Sequence, residues 1–139
     1  MKLFVQFVVV GLAVVAIPFP LAGKPAALPN IPVTVGAKAE LNACTSIGHG
    51  IAALIVRSAP SVSAHATVKL GRSHLVWICE QRDDAKWFGI VYGAAGVSHG
   101  KNGVPPKCGV STPITKPKTY RGPCKSGWVP ADAVEMIAG

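Results

Sequence analysis

The residues most suited to chemistry are serines beside an arginine, four cysteines and four histidines. Ser58 and Ser61 lie in the stretch LIVRSAPS, where an apolar run ends at Arg57 and breaks at Pro60. A nucleophilic serine needs a base and a group that orients the base. No G-x-S-x-G turn surrounds either serine, and the histidines are scattered at His49, His65, His74 and His99. We therefore predict no catalytic residue, no cofactor and no enzymatic activity, and we expect both serines to be turn residues.

The cysteines form no C-x-x-C pair, and their even number indicates two disulfides in an oxidising compartment. Spacing alone leaves three connectivities open. A zinc site is the competing interpretation, but its ligands usually come in pairs two to four residues apart. Cys108 and Cys124 bracket 15 residues that include three prolines and no apolar pattern, so a bond between them would hold that segment. We predict Cys108–Cys124, and also Cys44–Cys79, which would fasten the entering chain to a central strand; no metal site is expected.

The N-terminus has the layout of a secretory signal peptide. Lys2 precedes an apolar run over residues 3–17, and two prolines and small residues follow. We predict a signal peptide over residues 1–23, cleavage between residues 22 and 27, and a periplasmic or extracellular protein. Two alternatives stay open. One is a retained membrane anchor, although a span usually needs ~20 residues, and the other is a buried core helix.

The rest of the chain divides into a linker and one folded unit. Residues 24–42 carry three prolines and are predicted to be extended, and the folded unit is expected over residues 43–139. β-Branched and aromatic residues predict strands within 51–57, 73–80 and 86–93 and a short strand at 67–70. The segment EQRDDAK is typical of a solvated hairpin tip. No segment has helical periodicity, so the predicted class is all-β.

These segments resemble bacterial SH3-type domains, whose first strand usually reads L-x-V-R-S-G-P-S. The matching residues are Leu54, Val56, Arg57, Ser58, Pro60 and Ser61, then Trp87 in the Trp-bearing strand, then Gly127, Trp128 and Val129 in the Gly-Trp-Val strand. Ala59 departs from the family's glycine. The resemblance covers residues 50–92 and 126–139 and implies a small barrel of about five strands, closed by the turn and last strand in PADAVEMIAG.

This chain differs from the usual pattern of that family by a long insertion over residues 93–127. It has 35 residues, six of them cationic and none acidic. The cations are Lys101, Lys107, Lys116, Lys118, Arg121 and Lys125. An irregular loop of this length is uncommon in a compact domain unless it is functional or disordered. It is either a solvated loop that keeps the protein soluble or a surface for teichoic or peptidoglycan-linked chains, lipopolysaccharide phosphates or a membrane.

The net charge and the positions of the aromatic residues narrow the classes of binding partner that we expect. The net charge is +8, and removal of residues 1–23 takes away only Lys2 and leaves +7, which favours acidic partners. Nucleic acid is not expected, because the protein is predicted to be exported and Tyr120 is the insertion's single aromatic residue. Trp87 and Trp128 are predicted to fill the core, and Trp77 is predicted to face outward. The candidate ligand-binding residues are Tyr92, Trp128, Tyr120, Lys116, Lys118 and Arg121.

Two functional classes follow. The first is a non-enzymatic extracytoplasmic binding or targeting module that recognises a cell-envelope component, either a peptidoglycan peptide in an aromatic groove or an anionic envelope polymer. The second is a small secreted structural or interaction protein, such as an envelope complex component or an inhibitor. A membrane is expected as a partner only through an uncleaved signal segment, and the oligomeric state stays open.

Overall fold

A computed structural model describes residues 18, 30–36, 44, 46–94 and 105–138. Within these ranges the regular structure consists of nine β-strands and a 3₁₀ turn, which confirms the all-β class. In chain order the strands are β1 Thr34–Val35, β2 Ser46–Gly50, β3 Leu54–Arg57, β4 Ala66–Leu70, β5 Val76–Arg82, β6 Trp87–Tyr92, β7 Lys118–Thr119, β8 Lys125–Pro130 and β9 Val134–Ala138. The 3₁₀ turn, Ala131–Ala133, links β8 to β9. The predicted signal peptide lies outside the described residues except for Pro18.

Seven strands form one antiparallel sheet in the order β4-β3-β8-β6-β5-β2-β9, and β1 pairs with β7 in a separate ribbon. Each predicted strand segment contains a strand, but the sheet has seven strands where about five were expected. The strand of this sheet that matches no predicted segment is β2. In the described part of the chain the edge strands β4 and β9 are not paired with each other, so the sheet is open and the expected closure into a barrel is not seen.

The β5–β6 hairpin is the centre of the sheet and ends in the predicted polar tip. Its turn runs through residues 83–86, where Asp83, Asp84 and Ala85 all have positive φ. Aspartate tolerates this left-handed region better than most residues because its short side chain can bond to the local backbone. The turn residues 83–86 are exposed, as the sequence predicts, whereas Glu80, the first residue of the predicted tip EQRDDAK, belongs to β5 and is buried.

One face of the sheet, which we call the inner face, carries a core made from the strands alone. Alternate residues supply it, such as Val76 and Ile78 of β5 and Phe88 and Ile90 of β6. The cluster consists of Leu54, Val56, Leu70, Val76, Ile78, Phe88, Ile90, Tyr92, Val129 and Val134. Both edge strands contribute, because Leu70 belongs to β4 and Val134 to β9. The sheet therefore curves around this core.

The opposite face, the outer face, is also buried. It carries Trp77, Cys79, Trp87, Val91 and Trp128, which pack against residues from outside the sheet. Trp77 is 9% exposed, so the expectation that it faces outward is wrong. The side chain does point away from Val76 and Ile78, but the face it reaches is covered by the chain's own insertion. Trp87 and Trp128 lie in the core as predicted.

Part of the cover is an extended N-terminal segment, residues 30–36, which we call the strap. It belongs to the stretch predicted as linker, yet Val33 and Val35 are each 1% exposed. Hydrogen bonds attach the strap to the rest of the protein. Side chains donate three of them: Asn30 Nδ2 to the Cys124 carbonyl (3.1 Å), Ser126 Oγ to the Ile31 carbonyl, and Trp128 Nε1 to the Pro32 carbonyl (3.1 Å). Backbone amides donate two more: that of Tyr120 to the Val33 carbonyl (2.8 Å) and that of Thr34 to Glu80 Oε2 (2.6 Å). These bonds satisfy backbone groups that burial would otherwise leave unpaired.

Two residues of the sheet are adapted to the strap. The buried Glu80 also accepts a hydrogen bond from Arg82 Nε (2.7 Å), so its charge has a cationic partner. Gly89 lies where the strap crosses β6. A Cβ atom at Gly89 would be 2.9 Å from Cγ1 of Val33, which is too close for an unshifted structure. Glycine at this position therefore lets the strap approach the sheet.

Both disulfides are the predicted ones, Cys44–Cys79 and Cys108–Cys124. Cys79 sits at an irregularity in β5, because Ile78 pairs with Ile90 and Glu80 pairs with Gly89. Such a β-bulge leaves one residue without a partner on the neighbouring strand. Because of the bulge, the side chains of the consecutive residues Cys79 and Glu80 both lie on the outer face. The first bond thus attaches the chain before β2 to the outer face.

Candidate anion-binding groove

The insertion supplies the rest of the cover. Its described part up to Cys124, residues 105–124, is called the cover loop. Trp77 Nε1 donates to the Pro106 carbonyl at 3.1 Å, so the loop is bonded to the outer face near its start. β7 pairs with β1, with Thr119 opposite Thr34 and Lys118 opposite Val35. The loop is therefore closed on itself by its disulfide, as predicted, and is also packed on the sheet.

Tyr120 holds the two halves of the cover loop together. Its hydroxyl donates to the Cys108 carbonyl at 2.7 Å and accepts from the Cys124 amide at 3.1 Å. Burial raises the pKa of the Tyr120 hydroxyl, while the hydrogen bond from the Cys124 amide acts in the opposite direction. A Cβ atom on Gly122 would collide with the Tyr120 ring, so glycine allows the chain to turn tightly over it. The phenol is a structural centre of the loop.

A groove of about 550 Å³, open to solvent, lies between the strap and the cover loop. Its lining residues are Val35, Cys108, Gly109, Val110, Ile114, Lys118, Thr119, Tyr120, Arg121, Gly122 and Pro123. One wall comes from the strap, whose last residue, Gly36, lies against Ile114. The volume falls within the range of small-molecule sites. This is the candidate functional site.

The charges around the groove have one sign. Lys118 and Arg121 line it. The exposed cations of the described insertion are Lys107, Lys116, Lys118, Arg121 and Lys125. The ion pairs seen among the described residues are Glu80–Arg82 and His49–Glu135, so none of these five cations is paired there. The groove is consequently suited to a ligand that carries negative charge.

The structure brings together only some of the predicted ligand-binding residues. Lys118, Tyr120 and Arg121 line the groove, and Lys116 is exposed on the same loop but outside the lining. Tyr92 and Trp128 lie on opposite faces of the sheet, at 6% and 3% exposure. Burial raises the pKa of Tyr92. An aromatic groove formed jointly by Tyr92 and Trp128 is therefore not present.

The groove's apolar lining was not foreseen from the sequence. Val35, Val110 and Ile114 come from two separate segments, and only the fold brings them together. One usable signal was present: Ile31, Val33 and Val35 alternate with other residues, which is typical of a half-buried strand. The prolines around this stretch favoured the linker interpretation.

Ser58 and Ser61, the serines considered as nucleophiles in the sequence analysis, lie where the chain turns after β3. Ser61 Oγ is bonded to the side chain and amide of Ser63, and the Ser58 amide donates to the His65 carbonyl, so both serines are turn residues. Among the residues described, no cluster of three or more metal-ligating side chains occurs. No helix in the described part of the chain is long and apolar enough to cross a membrane.

Comparison with protein-family models, curated proteins and solved structures finds no match for this chain.

Proposed function

We propose that this protein is a non-enzymatic extracytoplasmic binding module that recognises an anionic component of the cell envelope through its cover loop. The observation that carries the proposal is the group of four exposed cations on this loop, Lys107, Lys116, Lys118 and Arg121, for which the described residues provide no anionic partner, and two of the four line a preformed groove. A positive surface concentrates acidic ligands by long-range attraction and orients them at the groove.

Two further observations support the extracytoplasmic part of the proposal. Both disulfides join residues far apart in sequence, with separations of 35 and 16 residues, and such bonds persist in oxidising compartments. The apolar run over residues 3–17 fits a signal segment that would deliver the chain there. We also propose that this open, curved sheet is of the SH3 type, supported by the order of the motifs and by the single inner core to which both edge strands contribute.

A second candidate is a protein-interaction role at the edge strand β9. Met136 and Ile137 are 57% and 51% exposed, and among the described residues β9 pairs with β2 on one side and has no strand on the other. A free strand edge with apolar side chains can accept a strand from another chain. This alternative makes no use of the cationic loop, so the two candidates respond to different substitutions.

The test of the main proposal replaces three cations and compares them with a matched set. Lys116→Gln, Lys118→Gln and Arg121→Gln together should weaken binding to isolated envelope polymers about tenfold or more at low salt. The control combines Lys69→Gln, Arg72→Gln and Lys86→Gln, which are also exposed and change the net charge equally. Binding of the wild type should fall with added salt, because the Debye length is ~8 Å at physiological ionic strength.

Stability provides the internal check on this experiment. Exposed charges contribute little to folding, so both triple variants should keep a thermal midpoint close to that of the wild type. Equal loss of binding in the two triple variants would show that net charge alone is responsible. Undiminished binding in the Lys116, Lys118 and Arg121 variant would refute the proposal and direct attention to β9.

A further inference from the structure

The groove combines two surfaces of different chemistry. Ile114 and Pro123 supply its accessible apolar surface, whereas the other apolar lining residues, Val35, Val110 and Cys108, are each 1% exposed. Lys118 and Arg121 line the same groove. Ile114 is only partly buried, so part of this apolar surface faces the open space. A ligand that fits the whole groove must therefore carry an apolar part next to an anionic part.

A strongly hydrophilic polyanion would use only half of this site. It would pair with the cations but would leave the apolar walls against water or against its own hydroxyl and phosphate groups, with no gain from burial. An anionic lipid uses both surfaces, because its phosphate reaches the cations while the first methylene groups of an acyl chain cover the walls. The charge complementarity and the apolar walls together favour the lipid.

We infer that the groove binds one anionic phospholipid, with the phosphate between Lys118 and Arg121 and the adjoining acyl carbons against Ile114 and Pro123. This inference rests on the proposed function and specifies its ligand. It differs from the expectation that only an uncleaved signal segment would bring the protein to a membrane. The remaining exposed cations of the cover loop, Lys107 and Lys116, would face neighbouring headgroups of the same anionic surface.

The site is organised before any ligand arrives. The Cys108–Cys124 bond closes the loop, and the Tyr120 hydroxyl bonds to Cys108 and Cys124 across it. The β1–β7 pairing fixes the strap wall relative to the loop wall. A preorganised groove avoids the entropy loss of ordering a loop during binding. A single lipid can therefore be held without rearrangement of the sheet.

The decisive experiment measures sedimentation with phosphatidylcholine vesicles that either contain or lack phosphatidylglycerol. Wild-type protein should bind only the vesicles with phosphatidylglycerol. Ile114→Gln should weaken that binding about tenfold by removing an apolar wall, while binding to soluble polyphosphate stays unchanged. The matched control is Val62→Gln, since Val62 is an apolar residue with 79% exposure in a different loop, and it should bind vesicles as the wild type does.

A competition experiment with the wild-type protein avoids any question of folding in the variants. Short-chain phosphatidylglycerol should displace bound polyphosphate at much lower concentration than glycerol phosphate, which has the anion but no acyl carbons. Equal displacement by the two compounds, or unchanged vesicle binding by Ile114→Gln, would overturn the lipid assignment and leave the binding of anionic polymers standing. If the wild type bound neither polyphosphate nor vesicles, the proposed function itself would be overturned.

Discussion

The two faces of the sheet are buried by different means. The inner face is covered because the sheet curves around side chains that its own strands supply, from Leu70 at one edge to Val134 at the other. The outer face is covered by two segments that lie apart in the sequence, the strap and the cover loop. Both disulfides belong to the outer cluster. A cover assembled from irregular segments depends on covalent bonds and hydrogen bonds, whereas the inner core depends on apolar packing.

Because of this difference, the inner face contributes mainly to stability, whereas the cover of the outer face carries the candidate functional site. The inner face holds the apolar core supplied by the strands and forms the part of the molecule that packing alone can maintain. The cover carries the groove, and its backbone is held by specific bonds such as those of Tyr120. The four predictions that follow test this contrast, beginning with the change expected to have the largest effect.

Ile90→Ala should destabilise the whole protein. Ile90 is fully buried at the centre of the inner face. Truncation of a buried isoleucine typically costs about 2–5 kcal/mol of unfolding free energy, because it leaves a cavity. Urea unfolding followed by tryptophan fluorescence measures the loss. A cost below about 1 kcal/mol would mean that the inner face is not the principal core.

Removal of the Cys108–Cys124 bond should act mainly on the cover. Cys108→Ala combined with Cys124→Ala opens a loop of this size at a cost of about 3 kcal/mol in the chain-entropy model. Hydrogen exchange should show lost protection in residues 105–124, while amides of β3, β6 and β8 remain protected. Equal loss of protection across the sheet would show that the two faces unfold as one unit and would contradict the contrast drawn above.

Tyr120→Phe should cost about 1–3 kcal/mol, because the Cys108 carbonyl and the Cys124 amide lose their common partner while buried. Tyr92→Phe is the matched control on the inner face, where the ring packs edge-on against His74 at 6.2 Å. Thermal unfolding of both variants at neutral pH measures the difference. If Tyr92→Phe lowered the stability more than Tyr120→Phe, the Tyr120 hydroxyl would not be the one that contributes more to folding.

Alkaline pH should weaken both faces through the same two tyrosines. Burial raises the folded-state pKa of Tyr92 and Tyr120 above the ordinary value of about 10. Their neutral forms are therefore favoured in the folded protein. The associated stability is complete below about pH 10 and is lost as the pH rises through the folded-state pKa values.

The pH prediction is the smallest, since it has no effect near neutrality. Thermal midpoints of the wild type should decline above about pH 10 more steeply than those of a variant that combines Tyr92→Phe with Tyr120→Phe. Parallel profiles for the two proteins would assign the alkaline loss to other groups, such as lysines.

Residues whose neighbours in sequence decide their structure were predicted well. The strands β3, β5 and β6 are rich in β-branched and aromatic residues, and the polar segment between β5 and β6 forms their hairpin tip. The pairing of Cys108 with Cys124 followed from the proline-rich segment between them. The all-β class and both disulfides were therefore accessible from the sequence.

Features that depend on distant partners were not predicted. The segment SIGHG gives no strand signal, yet it forms β2, where Gly48 leaves room for Val134 of the neighbouring β9. Trp77 was expected to face outward because the sequence does not show what covers the outer face. The cations of the site were visible as a charge asymmetry, but the apolar walls around Ile114 required the fold.

The strap also constrains the order of events during synthesis. Asn30, Ile31 and Pro32 bond to residues that follow them by 94, 95 and 96 positions. In a chain made from its N-terminus, the strap therefore appears well before these partners. The groove, with Val35 as one wall, cannot be complete until the cover loop has also emerged. Contacts of such long sequence separation form slowly because a large loop must close first. Binding competence therefore has to wait for these long-range contacts, whereas a hairpin such as β5–β6 can form as soon as its own residues are made.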